Sequence, residues 1–306
     1  MALTKTKFIW MNGKMVKWDD AKIHVLTHGL HYGSGVFEGI RCYDTPKGPA
    51  VFRLKDHMKR LEYGAKVYGM KLPYYVDQLC DATKKLVKEN GLKECYIRPI
   101  AYFGYGGMGL KPLGVPVDVA IAVWPWGAYL GEEGLEKGIR ARVSTWRRID
   151  SSALPMGAKA TGQYIGSILA AMEARACGVD EAIVLNSQGL VAEGPGENLF
   201  MVKNGKLITP PLSAGILTGI TRDSIIQVAE DLKIPVLERD IPRDALYSSD
   251  EILLCGTAAE VTPVREIDGI VIGTGKRGPI TEKIQKRFVD VVHGRARDYA
   301  KWLYYV

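Results

Sequence analysis

The chain has 306 residues, 47% apolar and 25% charged, close to the average for folded globular proteins, which excludes a disordered or collagen-like chain. Its length favours two domains over one oversized core. Lysine and arginine number 41 against 34 acidic residues, a net charge of +7 that suits anionic ligands; it is spread along the chain, which argues against a nucleic-acid partner. From the N-terminus, FIWMNGKMV with its central Asn-Gly predicts a hairpin, and VFRLKDHMKRLEYGAKVYGM a strand leading into an amphipathic helix. Helical periodicity from Tyr75 to Asn90 stops at Gly91, and CYIRPIAYF and VDVAIAVW read as buried strands. These elements make residues 1–124 a small N-terminal α/β domain. The Gly- and aromatic-rich stretch PWGAYLGEEGLEKG breaks the pattern, so 125–131 is expected to be an interdomain loop. Residues 132–306 form the larger domain: strand IRARVSTW, helix YIGSILAAMEARACG, hairpin EAIVLNSQGLVAEG, strand ENLFMVKNGKLITP, helix TRDSIIQVAEDL, strand EILLCGTAAEVTPV and a C-terminal helix. Strands there are expected to pair mostly as hairpins, and the fold class is mixed α+β or α/β.

Cys42, Cys80, Cys95, Cys177 and Cys255 are odd in number, scattered and without CxxC spacing, so neither a disulfide framework nor a zinc site is expected. His24, His28 and His31 share one short segment but lack metal-ligand logic, and no metal is expected. The first residues carry no apolar run suited to a signal sequence, and VDVAIAVW ends at Pro125 well short of a bilayer span. A soluble, cytoplasmic protein with no membrane partner is the expectation. Two segments match GxGxxG, at Gly104 to Gly109 and Gly273 to Gly278. The first runs into LKPLGVP, which cannot open a helix, and the second lies too near the end of the chain to begin a dinucleotide fold.

The chemistry concentrates elsewhere. Lys159 lies among small residues in PMGAKATGQY, between a strand and a helix, where a planar ligand can approach and a partly desolvated amine is suited to Schiff-base chemistry. Glu193 ends a hairpin strand just before Gly194, Pro195 and Gly196, where a carboxylate could pair with a protonated pyridine nitrogen. The run Gly215-Ile-Leu217-Thr-Gly219-Ile220-Thr221 leads into a helix whose N-terminal N–H groups suit a phosphate. Thr257 and Ala258, after the apolar strand EILLC, could add a hydroxyl and an N–H to the same phosphate.

FEGIRCYD, the helix of Arg60, YIRP, AKATGQY, EGPGENLF, GITRD and GTAAEVTPVREIDG, in order along nearly the whole chain, together resemble the branched-chain aminotransferases, fold-type IV pyridoxal-phosphate enzymes. The resemblance implies a small α/β domain and a larger domain of barrel-like sheet. It implies pyridoxal 5'-phosphate held by Lys159 as a Schiff base, with Tyr164 on the phenolic oxygen and Glu193 on the pyridine nitrogen. Arg60, Gly196, Gly219, Ile220, Thr221 and Thr257 would surround the phosphate side of the cofactor and Leu217 its ring. For substrates, branched-chain L-amino acids and 2-oxoglutarate, it implies an apolar wall of Phe37, Tyr164, Trp126 and Tyr129. Tyr32, Met108 and Leu110 would come from a neighbouring subunit. Tyr96, Arg98, Thr257 and Ala258 would handle carboxylates, with Arg98 on the distal carboxylate of glutamate. The resemblance also implies a homo-oligomer, a dimer at least, with a hexamer common in the family. D-Amino-acid aminotransferase and aminodeoxychorismate lyase share Lys159 and Glu193; Ile100 stands where the D-specific enzymes carry a histidine.

Overall fold

The computed structural model describes residues 3–127 and 131–306. The chain divides by contacts into two compact units: Met1–Trp126 with Ala158–Gln163 and Val291–Val306, and Gly127–Gly157 with Tyr164–Asp290. Two later segments therefore return to the first unit, and one of them carries Lys159.

The first unit begins with the antiparallel pair β1 (Phe8–Met11) and β2 (Lys14–Lys17), turned by Asn12 and Gly13 at φ 47° and 86°. Both values are positive, as a tight hairpin turn of this hand requires. After α1 (His28–Tyr32) come β3 (Gly35–Phe37), β4 (Ile40–Tyr43) and β5 (Ala50–Phe52), then α2 (Leu54–Val67) and α3 (Val76–Glu89). Helix α2 buries Leu54, His57, Met58, Leu61, Gly64 and Ala65, a stripe at three- and four-residue spacing that faces the sheet core. Each large apolar side chain in such a stripe contributes about 1.5–3 kcal/mol by leaving water. At the start of α3 the Gln78 side chain accepts a hydrogen bond from the Tyr75 N–H, and the helix runs out at Asn90 before Gly91 turns left-handed at φ 65°. The long strands β6 (Cys95–Phe103) and β7 (Val117–Trp124) pair along their length, giving the antiparallel order β5-β4-β6-β7-β1-β2 with β3 also on β6.

The second unit opens with a short α4 (Glu132–Lys137), which the aromatic and glycine content of that stretch had hidden. It continues through β8 (Ile139–Arg147), α5 (Tyr164–Ala176), β9 (Glu181–Leu185), β10 (Val191–Glu193), β11 (Asn198–Lys203) and β12 (Lys206–Thr209). Then follow α6 (Ile220–Asp231), β13 (Val236–Glu238), β14 (Glu251–Gly256), β15 (Glu260–Ile267), β16 (Ile270–Val271) and α7 (Pro279–Val292). Strands β10-β9-β8-β15-β14-β11 pair in that order, and β10 also pairs with β11, so six strands close on themselves around an apolar core. Two single-strand expectations are corrected: Asn204-Gly205 splits ENLFMVKNGKLITP into β11 and β12, and the turn at 257–259 splits EILLCGTAAEVTPV into β14 and β15. Hairpins dominate, but β8–β9, β8–β15 and β12–β13 are parallel.

The chain ends in β17 (Leu303–Tyr305), antiparallel to β5 at the edge of the first unit's sheet. Among the described residues no helix is long and apolar enough to cross a membrane. The glycine run at 104–109 lies between β6 and β7. That at 273–278 meets a helix whose first N–H groups are taken by the Glu251 carboxylate, 3.0 Å from the Ile280 nitrogen and 2.7 Å from that of Thr281.

Candidate active site

In the first unit the segment carrying Lys159 is laid along β3. The Phe37 N–H donates to the Lys159 carbonyl at 2.9 Å, Val36 and Ala160 form an antiparallel bridge, and the Gly162 N–H and Thr161 hydroxyl both donate to the Gly33 carbonyl, at 3.1 and 2.7 Å. The approach is close enough to require glycine: a Cβ on Gly33, whose φ is +60°, would lie 2.7 Å from the Gly162 Cα. Lys159 is half-buried, with its Nζ 5.1 Å from the centre of the Phe37 ring. Backbone pairing on both sides thus fixes where the amine starts.

Beyond Phe37 lies a cation among aromatic rings. The Arg98 guanidinium is 5.0 Å from the Phe37 ring, 5.3 Å from Tyr96 and 6.0 Å from Trp124, and its Nη2 reaches the Tyr96 hydroxyl at 3.4 Å. Trp126 packs on Tyr96 with centroids 4.9 Å apart. The Arg98 Nε is buried without a hydrogen-bond partner among the described residues. Gly39 seats this group, because a Cβ there would fall 2.1 Å from the Tyr96 hydroxyl. Arg60 lies on α2 and pairs twice with Glu38, Nε to Oε1 at 2.6 Å and Nη2 to Oε2 at 2.8 Å, while His57 Nδ1 lies 2.7 Å from the same Oε2. Burial pushes the Glu38 carboxyl up, but the Arg60 charge and hydrogen bonds, with those of His57, outweigh it and bring its pKa down to about 2. Tyr32, Met108 and Leu110 are exposed. Tyr129 lies outside the described residues.

The second unit gathers a different set. Glu193 is buried at the end of β10, opposite Asn198. Its Oε2 accepts from the Asn198 side-chain amide at 3.0 Å and the Leu217 N–H at 3.1 Å, and its Oε1 pairs with Arg148 Nη2 at 2.8 Å. The same Asn198 amide reaches the Leu217 carbonyl at 3.1 Å, and Arg148 Nε reaches the Gly215 carbonyl at 3.2 Å. The loop before α6 is therefore tied to the carboxylate at two points. Gly219 caps α6 without a side chain to occupy the first-turn N–H groups around Ile220 and Thr221, and a Cβ on it would strike the Asn198 Oδ1 at 1.8 Å. The turn holding Thr257 and Ala258 is brought alongside: a Cβ on Gly256 would sit 3.2 Å from the Gly196 carbonyl, while the space around Gly196 itself is open. Tyr164 opens α5 and is half-buried.

Each unit by itself offers groups that suit pyridoxal 5'-phosphate: the first an amine able to take a carbonyl and a guanidinium able to pair with a phosphate, the second a buried carboxylate of the kind that pairs with a ring nitrogen and a glycine-capped helix start of the kind that binds a phosphate. Local sequence pattern alone does not mark Glu38, His57, Asn198 or Arg148 as members of these clusters. His57 and Arg60 at i, i+3 on an amphipathic helix, and Glu38 inside an otherwise apolar FEGI, were the available signals.

The model of the amino-transferase class IV family matches residues 35–267. The branched-chain-amino-acid aminotransferase of Escherichia coli (strain K12) is 49% identical over 304 residues, covering 99% of this chain and 98% of that protein. A crystal structure of the Escherichia coli enzyme superposes with a TM-score of 0.96 at 49% identity, covering 98% and 99% of the two chains. The T.th. branched-chain amino acid aminotransferase complexed with N-(5'-phosphopyridoxyl)-L-glutamate gives a TM-score of 0.95 at 47% identity, with 98% and 99% coverage. Nearly full-length identity at this level, on the same fold, places the chain in the class IV aminotransferases, within the branched-chain-amino-acid aminotransferase family.

Proposed function

We propose that the protein is a branched-chain L-amino-acid:2-oxoglutarate aminotransferase that moves the amino group of leucine, isoleucine or valine through a reversible ping-pong cycle. Its cofactor is pyridoxal 5'-phosphate and its substrates are small molecules. Bound to a lysine, the cofactor supplies an electron sink for the charge that develops at the substrate Cα. Lys159 supplies the amine that attaches it and then carries the proton between the substrate Cα and the cofactor C4′. Tyr164 donates to the phenolic oxygen. The Glu193 carboxylate keeps the ring nitrogen protonated, with Leu217 against the ring. Arg60, the N–H groups of Gly219, Ile220 and Thr221, and the Gly196 and Thr257 turns hold the phosphate.

The observation that carries this reading is the Arg98 guanidinium lying over Phe37, Tyr96 and Trp124. One surface then offers apolar rings to a branched side chain and a cation to a distal carboxylate. Tyr96, Thr257 and Ala258 serve carboxylates, and Trp126 and Tyr164 extend the apolar wall. The exposed Tyr32, Met108 and Leu110 complete the pocket of a neighbouring copy in a cytoplasmic homo-oligomer, a dimer at least and up to a hexamer; the sedimentation mass of a single chain would overturn that assignment.

The test separates the two half-reactions by the cofactor's spectrum. Arg98→Leu should slow the 2-oxoglutarate half-reaction about tenfold more than the leucine half-reaction, because a charge-assisted contact in a partly dry pocket is worth a few kcal/mol. Equal losses would make Arg98 structural or a ligand of the α-carboxylate. Donor activity with D-alanine, or release of pyruvate from aminodeoxychorismate, in place of activity with leucine would transfer the chain to one of the sister activities.

A further inference from the structure

Glu38 takes no part in the chemistry above, yet it is wholly buried and three side-chain donor atoms are spent on it. It lies between β3 and β4, with its N–H donated to the Pro99 carbonyl at 2.9 Å, so its backbone is fixed as well. A buried ion pair gives a fold little that apolar packing would not give more cheaply, so its use here calls for a reason other than stability. The reason is geometric. Side-on pairing through Nε and Nη2 sets the plane of the Arg60 guanidinium and turns the Nη1 edge to the side away from Glu38. His57, three residues earlier on the same helix face, holds the shared Oε2 and stops the carboxylate from swinging.

We infer that Glu38, steadied by His57, is a positioning residue that orients Arg60 for the cofactor's phosphate. The inference rests on the reading of Arg60 as a phosphate ligand. Pre-orientation favours binding because a long, otherwise mobile side chain no longer loses its freedom when the anion arrives. A carboxylate this near also has an opposing effect, since it competes with the phosphate for the same cation. The two effects have opposite signs in affinity, and the measurement reads the sign.

The full-length chain is freed of cofactor and titrated with pyridoxal 5'-phosphate and, separately, with pyridoxal, which lacks the phosphate. The quantity of interest is the ratio of the two dissociation constants, because general loosening of the fold weakens both alike. Glu38→Gln should weaken the phosphorylated form about tenfold relative to pyridoxal, Glu38→Asp should restore part of the loss, and Arg60→Met should lose more than either. If Glu38→Gln does not fold, His57→Phe decides, with a smaller shift of the same sign. An unchanged or tightened ratio in the Glu38 and His57 variants, beside a selective loss in Arg60→Met, overturns the positioning role and leaves the phosphate reading standing. An unchanged ratio in Arg60→Met overturns both.

Discussion

Glu38 and Glu193 are carboxylates of nearly equal burial, 0% and 4% exposed, and the two units meet the cost of that burial in different ways. Glu38 is served by side chains from one face of a single helix, His57 and Arg60. Glu193 is served by the Asn198 amide, the Leu217 backbone and the Arg148 guanidinium, from three separated stretches of chain. A carboxylate held by one helix is rigid wherever that helix is rigid. One held by three segments also fixes those segments to each other, so the loop from Gly215 to Gly219 takes its place from Glu193.

The largest expected effect lies outside both clusters and calibrates them. Lys159→Ala should abolish transamination while the far-ultraviolet dichroism stays that of a folded chain, since the proposed function assigns both cofactor attachment and proton transfer to this amine. Turnover with a reducible adduct on another lysine would contradict it. Glu193→Gln should come next: on the proposed role of Glu193, turnover is expected to fall by about 10²-fold or more with cofactor still bound, because the charge assigned to the ring nitrogen is gone. Unchanged turnover would show that some other group tunes the ring.

The contrast in wiring is sharpened by Arg148→Gln and Asn198→Ala. The first leaves Glu193 buried without its cation and should lower unfolding free energy by about 3–5 kcal/mol. The second removes one donor from Glu193 and one from the Leu217 carbonyl, and should cost about 1–3 kcal/mol. Urea titrations of the two variants would check both, and equal losses would mean that the cation matters no more than the amide.

The smallest effect near neutral pH should come from the Glu38 cluster, and it grows in acid. Burial depresses the His57 pKa below its ordinary 6.5, so as the pH falls past that value the unfolded chain takes up a proton that the folded one refuses, and stability drops. The Glu38 pKa of about 2 is below its ordinary 4.5, so the stability it contributes is present above 4.5 and is lost as the pH falls from there towards 2. His57→Phe should remove only the first of these losses. Denaturation curves collected from pH 8 to pH 3 that keep both losses in this variant would assign the acid sensitivity elsewhere.

What could be read from the sequence follows from how local its causes are. Helix α3 was legible because its periodicity and its glycine stop are local, and so was the Asn12-Gly13 hairpin. The equivalent Asn204-Gly205 turn is hidden in the sequence because the apolar run continues on both sides of it. The barrel-like sheet of the second unit came from resemblance; nothing local says that β10 pairs with both β9 and β11. Lys159 and Glu193 were marked by small neighbours and glycines. The partners of Arg60 and Glu193 were not, because each pairing depends on where distant strands, helices and loops come to lie.

The edge strand β17 has a consequence for how the protein is made. Leu303 is the register partner of Phe52, the Arg53 N–H donates to the Trp302 carbonyl, and the Phe52 and Trp302 rings meet edge to face. Synthesis normally lets an N-terminal domain fold while the rest of the chain is still emerging from the ribosome. Here the first unit cannot finish early. Its sheet keeps β5 as a bare edge until β17 leaves the exit tunnel, and a bare apolar edge is a template for pairing with other chains. The nascent protein therefore carries a pairing hazard in residues made long before the strand that covers them.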